Sequence, residues 1–270
     1  MNFHSDAWIM DKMRGHYNDA LSKYPEYRVV GVFYQGSGNY GLDYEGSDVD
    51  TKCVLAPSLK ELAESKMTST TYVRENDEHI DFKDVRAMLE TFRKSNLNFL
   101  EILYTKYYII NPMYEAEWNK LIASRDSIVT MNLPSLIKSM KGIASEKFHA
   151  LEHRYPSRIE WIDKFGYDPK QLHHLFRIKE FMRRWVNGES FSHCLISCEP
   201  EWLVEVKKGK YNLEEARWRG KCAMSYIESM YKQYIEICDN AIDETVYKLF
   251  EEVIYNTIEI GITKELETRG

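Results

Sequence analysis

Residues 36–50 read GSGNYGLDYEGSDVD, and they follow the apolar run VVGVF at residues 29–33. The run predicts a buried β-strand, and Gly36 and Ser37 predict a turn directly after it. Asp48 and Asp50 then open a second apolar run that ends at Leu55. Because side chains alternate along a strand with period 2, we expect Asp48 and Asp50 to share one face. Such a carboxylate pair suits Mg²⁺, a hard cation that prefers oxygen ligands and can assist phosphoryl or nucleotidyl transfer.

The turn before the acid pair is typical of a phosphate-binding element. A Gly-Ser turn after a strand presents backbone N–H groups and a hydroxyl at a helix start, where the partial positive charge suits phosphate oxygens. The spacing from Ser37 to Asp48 allows a short helix between two neighbouring strands. We therefore expect the turn and the acid pair to converge.

The composition limits the class of protein. The chain has 270 residues with 44% hydrophobic and 13% aromatic residues, which excludes a disordered chain and predicts a substantial core. A net charge of −6 argues against a nucleic-acid footprint that covers the whole surface, although a local basic cleft remains open. The N-terminus lacks the features of a signal peptide, no run of about 18 apolar residues is present, and five scattered cysteines fit reduced thiols. We expect a cytoplasmic protein that does not enter a membrane.

The periodicity changes along the chain from mixed to helical. A helix is expected from Ser5 to Tyr24, and Asp84 is expected to cap a later helix that begins at Val85. Strands are predicted at residues 28–34, 48–55, 70–74 and 78–82, and long helices at residues 134–153, 169–187, 213–238 and 244–266. The sequence thus predicts an α/β (α+β) protein, with a mixed-sheet domain at residues 1–128 and a helical domain at residues 129–270.

Three stretches of the sequence carry a family resemblance. Their patterns are Gly-Ser-x-x-Tyr-Gly to Ser-Asp-x-Asp at residues 36–50, Asn-x-Asn-x-x-Glu at residues 96–101, and Gly-Tyr-Asp-x-Lys-x-x-His-His-x-x-Arg at residues 166–177. The first block resembles the signature of the DNA polymerase beta-like nucleotidyltransferase superfamily. Within that superfamily, the three stretches together resemble the predicted nucleotidyltransferases described as RNA-ligase-associated.

This resemblance implies a nucleotidyltransferase-type sheet and a third carboxylate on a later strand. Asp81, framed by apolar residues, is the best match for that carboxylate, and Glu101 is the alternative. The resemblance implies that Asp48, Asp50 and Asp81 are catalytic and hold two Mg²⁺ (or Mn²⁺) ions. The nucleotide, an NTP, would be bound by Gly36, Ser37, Ser47, Lys170, His173 and Arg177. The acceptor hydroxyl stays open between RNA, a protein and a small molecule.

The third stretch also has a physical interpretation. Lys170, His173, His174 and Arg177 have i, i+3, i+4 and i+7 spacing, which places them on one face of a helix. Residues 138–184 carry 11 Lys/Arg against 6 Asp/Glu, so this helix lies in a basic segment of an acidic protein. A cationic stripe of this kind suits a triphosphate or an acidic acceptor.

Two other classes of function remain open from the sequence. One is a non-catalytic binding module with the same fold, such as an antitoxin-like regulator. The other is a glycosyltransferase that uses Asp-x-Asp to hold a metal and a sugar nucleotide, although this alternative does not explain the Gly-Ser turn.

Overall fold

The computed structural model describes residues 3–238 and 243–270. Contacts divide the chain into two compact units. Unit 1 comprises Met1–Asn39, Asp43–Asn132 and Ala241–Gly270, and unit 2 comprises Tyr40–Leu42 and Leu133–Asn240. The C-terminal segment is thus part of unit 1, whereas the predicted division at residues 128 and 129 groups it with the helical half.

Among the described residues, the five strands lie in the first half of the chain, between helices, and the elements that follow them are helices. The strands are β1 (Val29–Gln35), β2 (Asp50–Leu55), β3 (Ser69–Val73), β4 (His79–Asp84) and β5 (Tyr108–Ile110). The helices of the first half are α1 (Asp6–Lys23), α2 (Leu59–Ala63), α3 (Val85–Arg93), α4 (Leu97–Leu100), α5 (Glu115–Ala123) and α6 (Arg125–Thr130). They are followed by α7 (Leu133–His149), α8 (Ile159–Phe165), α9 (Pro169–Val186), α10 (Phe191–Leu195), α11 (Pro200–Lys207), α12 (Leu213–Ile237) and α13 (Glu244–Arg269).

The strands form one mixed sheet in the order β3-β4-β2-β1-β5. β2 and β4 are parallel, and the other neighbouring pairs are antiparallel. The register places Gln35 of β1 opposite Asp50 of β2, and Lys52 of β2 opposite Asp81 of β4. This sheet and the helices around it confirm the predicted α+β class.

Alternation along the strands separates a core face of the sheet from a polar face. Helix α1, capped by the Ser5 hydroxyl, packs Ile9 and Met13 into a cluster with Ile80 and Phe82 of β4. The intervening residues of β4 are polar and partly exposed; they are His79, Asp81 and Lys83. The polar face of β4 therefore lies on the side of the sheet away from α1.

The regular elements of unit 2 are helices and 3₁₀ turns in its described residues, and α9 is its central element. This helix packs against α7, α11 and α12. Asp168 caps its N-terminus by accepting the Lys170 N–H at 2.9 Å, and Arg158 pairs with the same carboxylate. No helix among the described residues has the length and apolar character needed to cross a membrane.

Two details of the sheet differ from the sequence prediction. Strand β2 begins at Asp50, two residues later than predicted, because its partner β1 ends at Gln35 and the chain turns away at Gly36. Strand β5 was not predicted, since three residues are too short for a periodic signal.

Candidate functional site

The Gly-Ser turn lies at the end of β1. Gly36 has a φ of +129°, a conformation that favours glycine, and Ser37 begins a 3₁₀ turn (Ser37–Tyr40) in place of the predicted short helix. The Ser37 hydroxyl donates to the Ser47 hydroxyl at 3.1 Å, and Ser47 accepts the Tyr44 N–H at 3.0 Å. Ser47 directly precedes Asp48, so these hydrogen bonds connect the turn to the acid pair.

Asp48 lies in the loop just before β2, and Asp50 is the first residue of that strand. Val49 between them is fully buried in the core cluster, so the two carboxylates project away from the core. The predicted shared face is therefore maintained although Asp48 has no strand partner. Asp48 is exposed and has no hydrogen-bond or ion-pair partner within residues 3–238 and 243–270.

The carboxylate of Asp50 is in an unfavourable electrostatic position. Burial raises its pKa above the ordinary value, and the negative charge of Asp48 raises it further. His79 partly offsets this, because its N–H donates to Oδ1 of Asp50 at 2.8 Å and its ring Nδ1 lies 3.2 Å from the same oxygen. Among the described residues no hydrogen bond reaches Oδ2. Two adjacent carboxylates with free oxygens fit a hard divalent cation, which would relieve their repulsion.

Asp81 lies on the same face of the sheet as Asp50 but is engaged by other residues. Its Oδ1 accepts the Thr71 hydroxyl at 2.6 Å, and its Oδ2 lies 3.6 Å from the Lys52 ammonium. In the part of the chain that the structure describes, no three His, Cys, Asp or Glu side chains are grouped closely enough to hold a metal ion. The expected convergence of three carboxylates is therefore not present, because Lys52 lies beside Asp81.

Lys52 is a buried cation with several neighbours. Its side chain is 2% exposed, its ammonium contacts the Gln35 side-chain oxygen, and it lies 4.1 Å from the centre of the Phe99 ring. Burial lowers the pKa of Lys52, while the negative charges of Glu101 and Asp81 raise it. Glu101 is fully buried and acts as a counterion in this cluster, so Asp81 is the more accessible alternative for the third carboxylate.

The remaining predicted nucleotide contacts are on α9 of unit 2. Arg177 is 6% exposed, stacks over the Tyr40 ring at 3.8 Å, and has no hydrogen-bond partner for Nε and Nη1 among the described residues. Lys170 is partly buried and has no carboxylate partner within the same residues. Two cations of this helix thus have free donors.

His173 has a different environment from these cations. It is buried, its Nδ1–H donates to the Leu203 carbonyl at 2.8 Å, and burial lowers its pKa to about 3. A neutral ring that is fixed in the core of unit 2 favours a packing role over contact with a phosphate.

Lys52 and His79 are not among the residues that the sequence predicts for the site. Lys52 follows Asp50 by two residues, so strand alternation alone places both on the polar face, and a lysine inside an apolar run is a usable signal. His79 could not be found in this way, since its contact with Asp50 depends on the pairing of β2 with β4.

Comparison with known proteins gives no family. No protein-family model matches the chain, and no curated protein matches it. Among solved structures, it is similar to a nucleotidyltransferase-like protein from Exiguobacterium sibiricum 255-15, with a TM-score of 0.30 and 13% identity over 84% of this chain and 76% of that one. No function follows from similarity at this level.

Proposed function

We propose that the protein is a metal-dependent nucleotidyltransferase, which moves a nucleoside monophosphate from an NTP to an acceptor hydroxyl and releases pyrophosphate. The observation that carries this proposal is the pair Asp48 and Asp50, two carboxylates with free oxygens beside the Gly-Ser turn. The reaction is expected in the cytoplasm. The acceptor is RNA, a protein or a small molecule.

Each residue of this site would have a distinct role. The oxygens of Asp48 and Asp50 would hold a divalent cation, Mg²⁺ or Mn²⁺, and His79 orients Asp50. Such an ion lowers the pKa of a bound hydroxyl and offsets phosphate charge. Gly36 and Ser37 would contact the phosphates. Asp81 would have to exchange Lys52 and Thr71 for the ion before it became a third ligand.

The contributions of unit 2 and of a second ion also belong to this proposal. Lys170 and Arg177 would neutralise charge on the leaving pyrophosphate, and the Nε and Nη1 of Arg177, which have no hydrogen-bond partner among the described residues, support this role. A two-ion site would need Asp81 in addition to the acid pair.

Label transfer tests the activity. The protein is incubated with Mg²⁺ and one α-labelled NTP at a time. The acceptor in each reaction is an RNA, a protein or a small alcohol. We expect transfer to one class of acceptor, and a decrease in rate of at least about 100-fold for Asp50→Asn. Glu45→Gln, which changes an exposed acid in the same loop, is the matched control and should retain the wild-type rate. An unchanged rate for Asp50→Asn would exclude this carboxylate from the reaction.

The Lys52–Asp81 ion pair favours a second candidate, a nucleotide-binding module without catalysis. In such a module the cation of Lys52 would permanently replace a metal ion beside Asp81. Thermal-shift titration distinguishes the two, because a ligand of the folded state raises its stability whether or not it reacts. Stabilisation by an NTP without label transfer to any acceptor would support the module.

A further inference from the structure

A cavity of about 510 Å³ lies wholly within unit 2, between α9, α11 and α12. Its walls come from Phe176, Lys179, Glu180 and Arg183 of α9, which repeat at helical spacing along one face. The volume is in the range of sites for small organic ligands, about 300–1,000 Å³. None of the residues assigned above to nucleotidyl transfer lines it.

Aromatic rings form one part of the cavity wall. Trp202 stacks on Phe176 with ring centres 5.1 Å apart, and its indole N–H donates to the Tyr211 hydroxyl at 3.0 Å, which fixes the ring. Trp218 is 63% exposed and Tyr226 is also exposed, although both are large aromatic residues. Exposed rings beside a cavity provide flat surfaces on which a planar ligand can stack.

Cations form the other part of the wall. Lys179 lies 5.3 Å from the Tyr226 ring centre, and Arg219 lies 4.3 Å from that of Tyr211. The buried Nε of Arg219 has no hydrogen-bond partner among the described residues. In the same part of the chain no carboxylate pairs with Lys179, Arg183 or Arg219, whereas the neighbouring Arg184 pairs with Glu189 at 2.6 Å.

The cavity also contains two carboxylates, but one of them is already engaged. Glu180 accepts the Ser197 hydroxyl at 2.7 Å and the Cys198 N–H at 2.5 Å. Glu199 is the other. The lining thus has three cations, Lys179, Arg183 and Arg219, against two carboxylates, and this excess of positive charge favours an anion.

We propose that this cavity binds a nucleoside phosphate, whose base stacks on Trp202 and Trp218 and whose phosphate contacts Lys179, Arg183 and Arg219. The base of such a ligand can stack on the aromatic rings, and its phosphate can accept charge-assisted hydrogen bonds from the cations. A phosphorylated peptide would use the cations but leave the exposed rings without a planar partner. The nucleoside phosphate is either a free nucleotide or one unit of a single strand.

Binding is tested in the Asp50→Asn protein without divalent ions, so that a cation at the acid pair does not contribute. The probes are AMP, adenosine, and a fluorescent eight-nucleotide RNA, and the readouts are tryptophan fluorescence and polarisation. We expect AMP or the RNA to bind, and adenosine to bind more weakly than AMP. Preference for the RNA over AMP identifies a strand as the source, and the reverse identifies a free nucleotide.

Two tryptophan variants assign the binding to the cavity. Trp218→Ala should weaken it about fivefold or more, the smallest effect expected for loss of one stacking ring. Trp161→Ala, which removes an exposed ring of unit 2 outside the cavity, should leave it unchanged. Absence of binding, adenosine as tight as AMP, or equal effects of the two variants would each overturn the proposal. None of these outcomes bears on label transfer by the wild-type protein.

Discussion

In unit 1, Asp48 and Asp50 place two carboxylates side by side, and burial together with like charge raises the pKa of Asp50. In unit 2, Lys179, Arg183 and Arg219 line a cavity. Lys179 lies over the Tyr226 ring and Arg219 over the Trp218 ring, and both rings also line the cavity. Burial and like charge make the ionised acid pair unfavourable. Arg183 is exposed and Lys179 and Arg219 are partly exposed, so contact with solvent reduces the free-energy cost of their charges. Unpaired charge therefore has a different energetic cost in the two units: the cost is higher at the acid pair of unit 1 and lower at the cations of unit 2.

The largest expected effect concerns Lys52, the buried cation near the acidic pair. Lys52→Met should lower the free energy of unfolding by about 3–5 kcal/mol, because it leaves Glu101 buried beside a neutral side chain. Urea denaturation measures the change. Lys60→Met, an exposed lysine whose partner Glu64 is 3.9 Å away, is the control and should change stability by less than about 1 kcal/mol. Equal stability of Lys52→Met and wild type would contradict a structural ion cluster.

An intermediate effect of opposite sign is expected for Asp50→Asn in the metal-free protein. The folded-state pKa of Asp50 is raised, so its charged form destabilises the fold at pH values above that pKa, and the penalty disappears below the ordinary value of 3.8. Asp50→Asn should therefore raise Tm at pH 7 and have no effect below that value. Scanning calorimetry from pH 3 to pH 8 measures this dependence. A lower Tm at pH 7 would show that the pair is not repulsive.

The smallest effect is expected in unit 2. Arg183→Ala should change the free energy of unfolding by no more than about 0.5 kcal/mol, since the side chain is exposed and unpaired among the described residues. Its neighbour Arg184 is buried, pairs with Glu189 and donates to the Ile196 carbonyl at 2.6 Å, so Arg184→Ala should cost about 1–3 kcal/mol. Chemical denaturation of both variants checks the comparison. A cost for Arg183 similar to that for Arg184 would assign it a structural role.

Local signals in the sequence were sufficient for much of the fold. The alternation in β4 and the cap Asp84 depend on residues that are close in the sequence, and the structure has them where the patterns predict. The turn at Gly36 was predicted from local residues in the same way. Local patterns also predicted the acid pair Asp48 and Asp50 and its position beside the turn.

Contacts between distant residues could not be predicted in the same way. The pairing of Lys52 with Asp81 depends on the register of β2 against β4, and no local pattern fixes that register. The assignment of α13 to unit 1 follows from its packing against α3 and α5, which its amphipathic sequence does not specify.

The most direct test of the cation site measures Mn²⁺ binding in the presence of an NTP. Electron paramagnetic resonance of the free ion reports how much Mn²⁺ is bound. Wild type should bind Mn²⁺, and Asp48→Asn and Asp50→Asn should each weaken this binding at least about tenfold, since each removes a charged oxygen ligand. Mn²⁺ affinity that is the same in all three proteins would contradict a cation site at this acid pair.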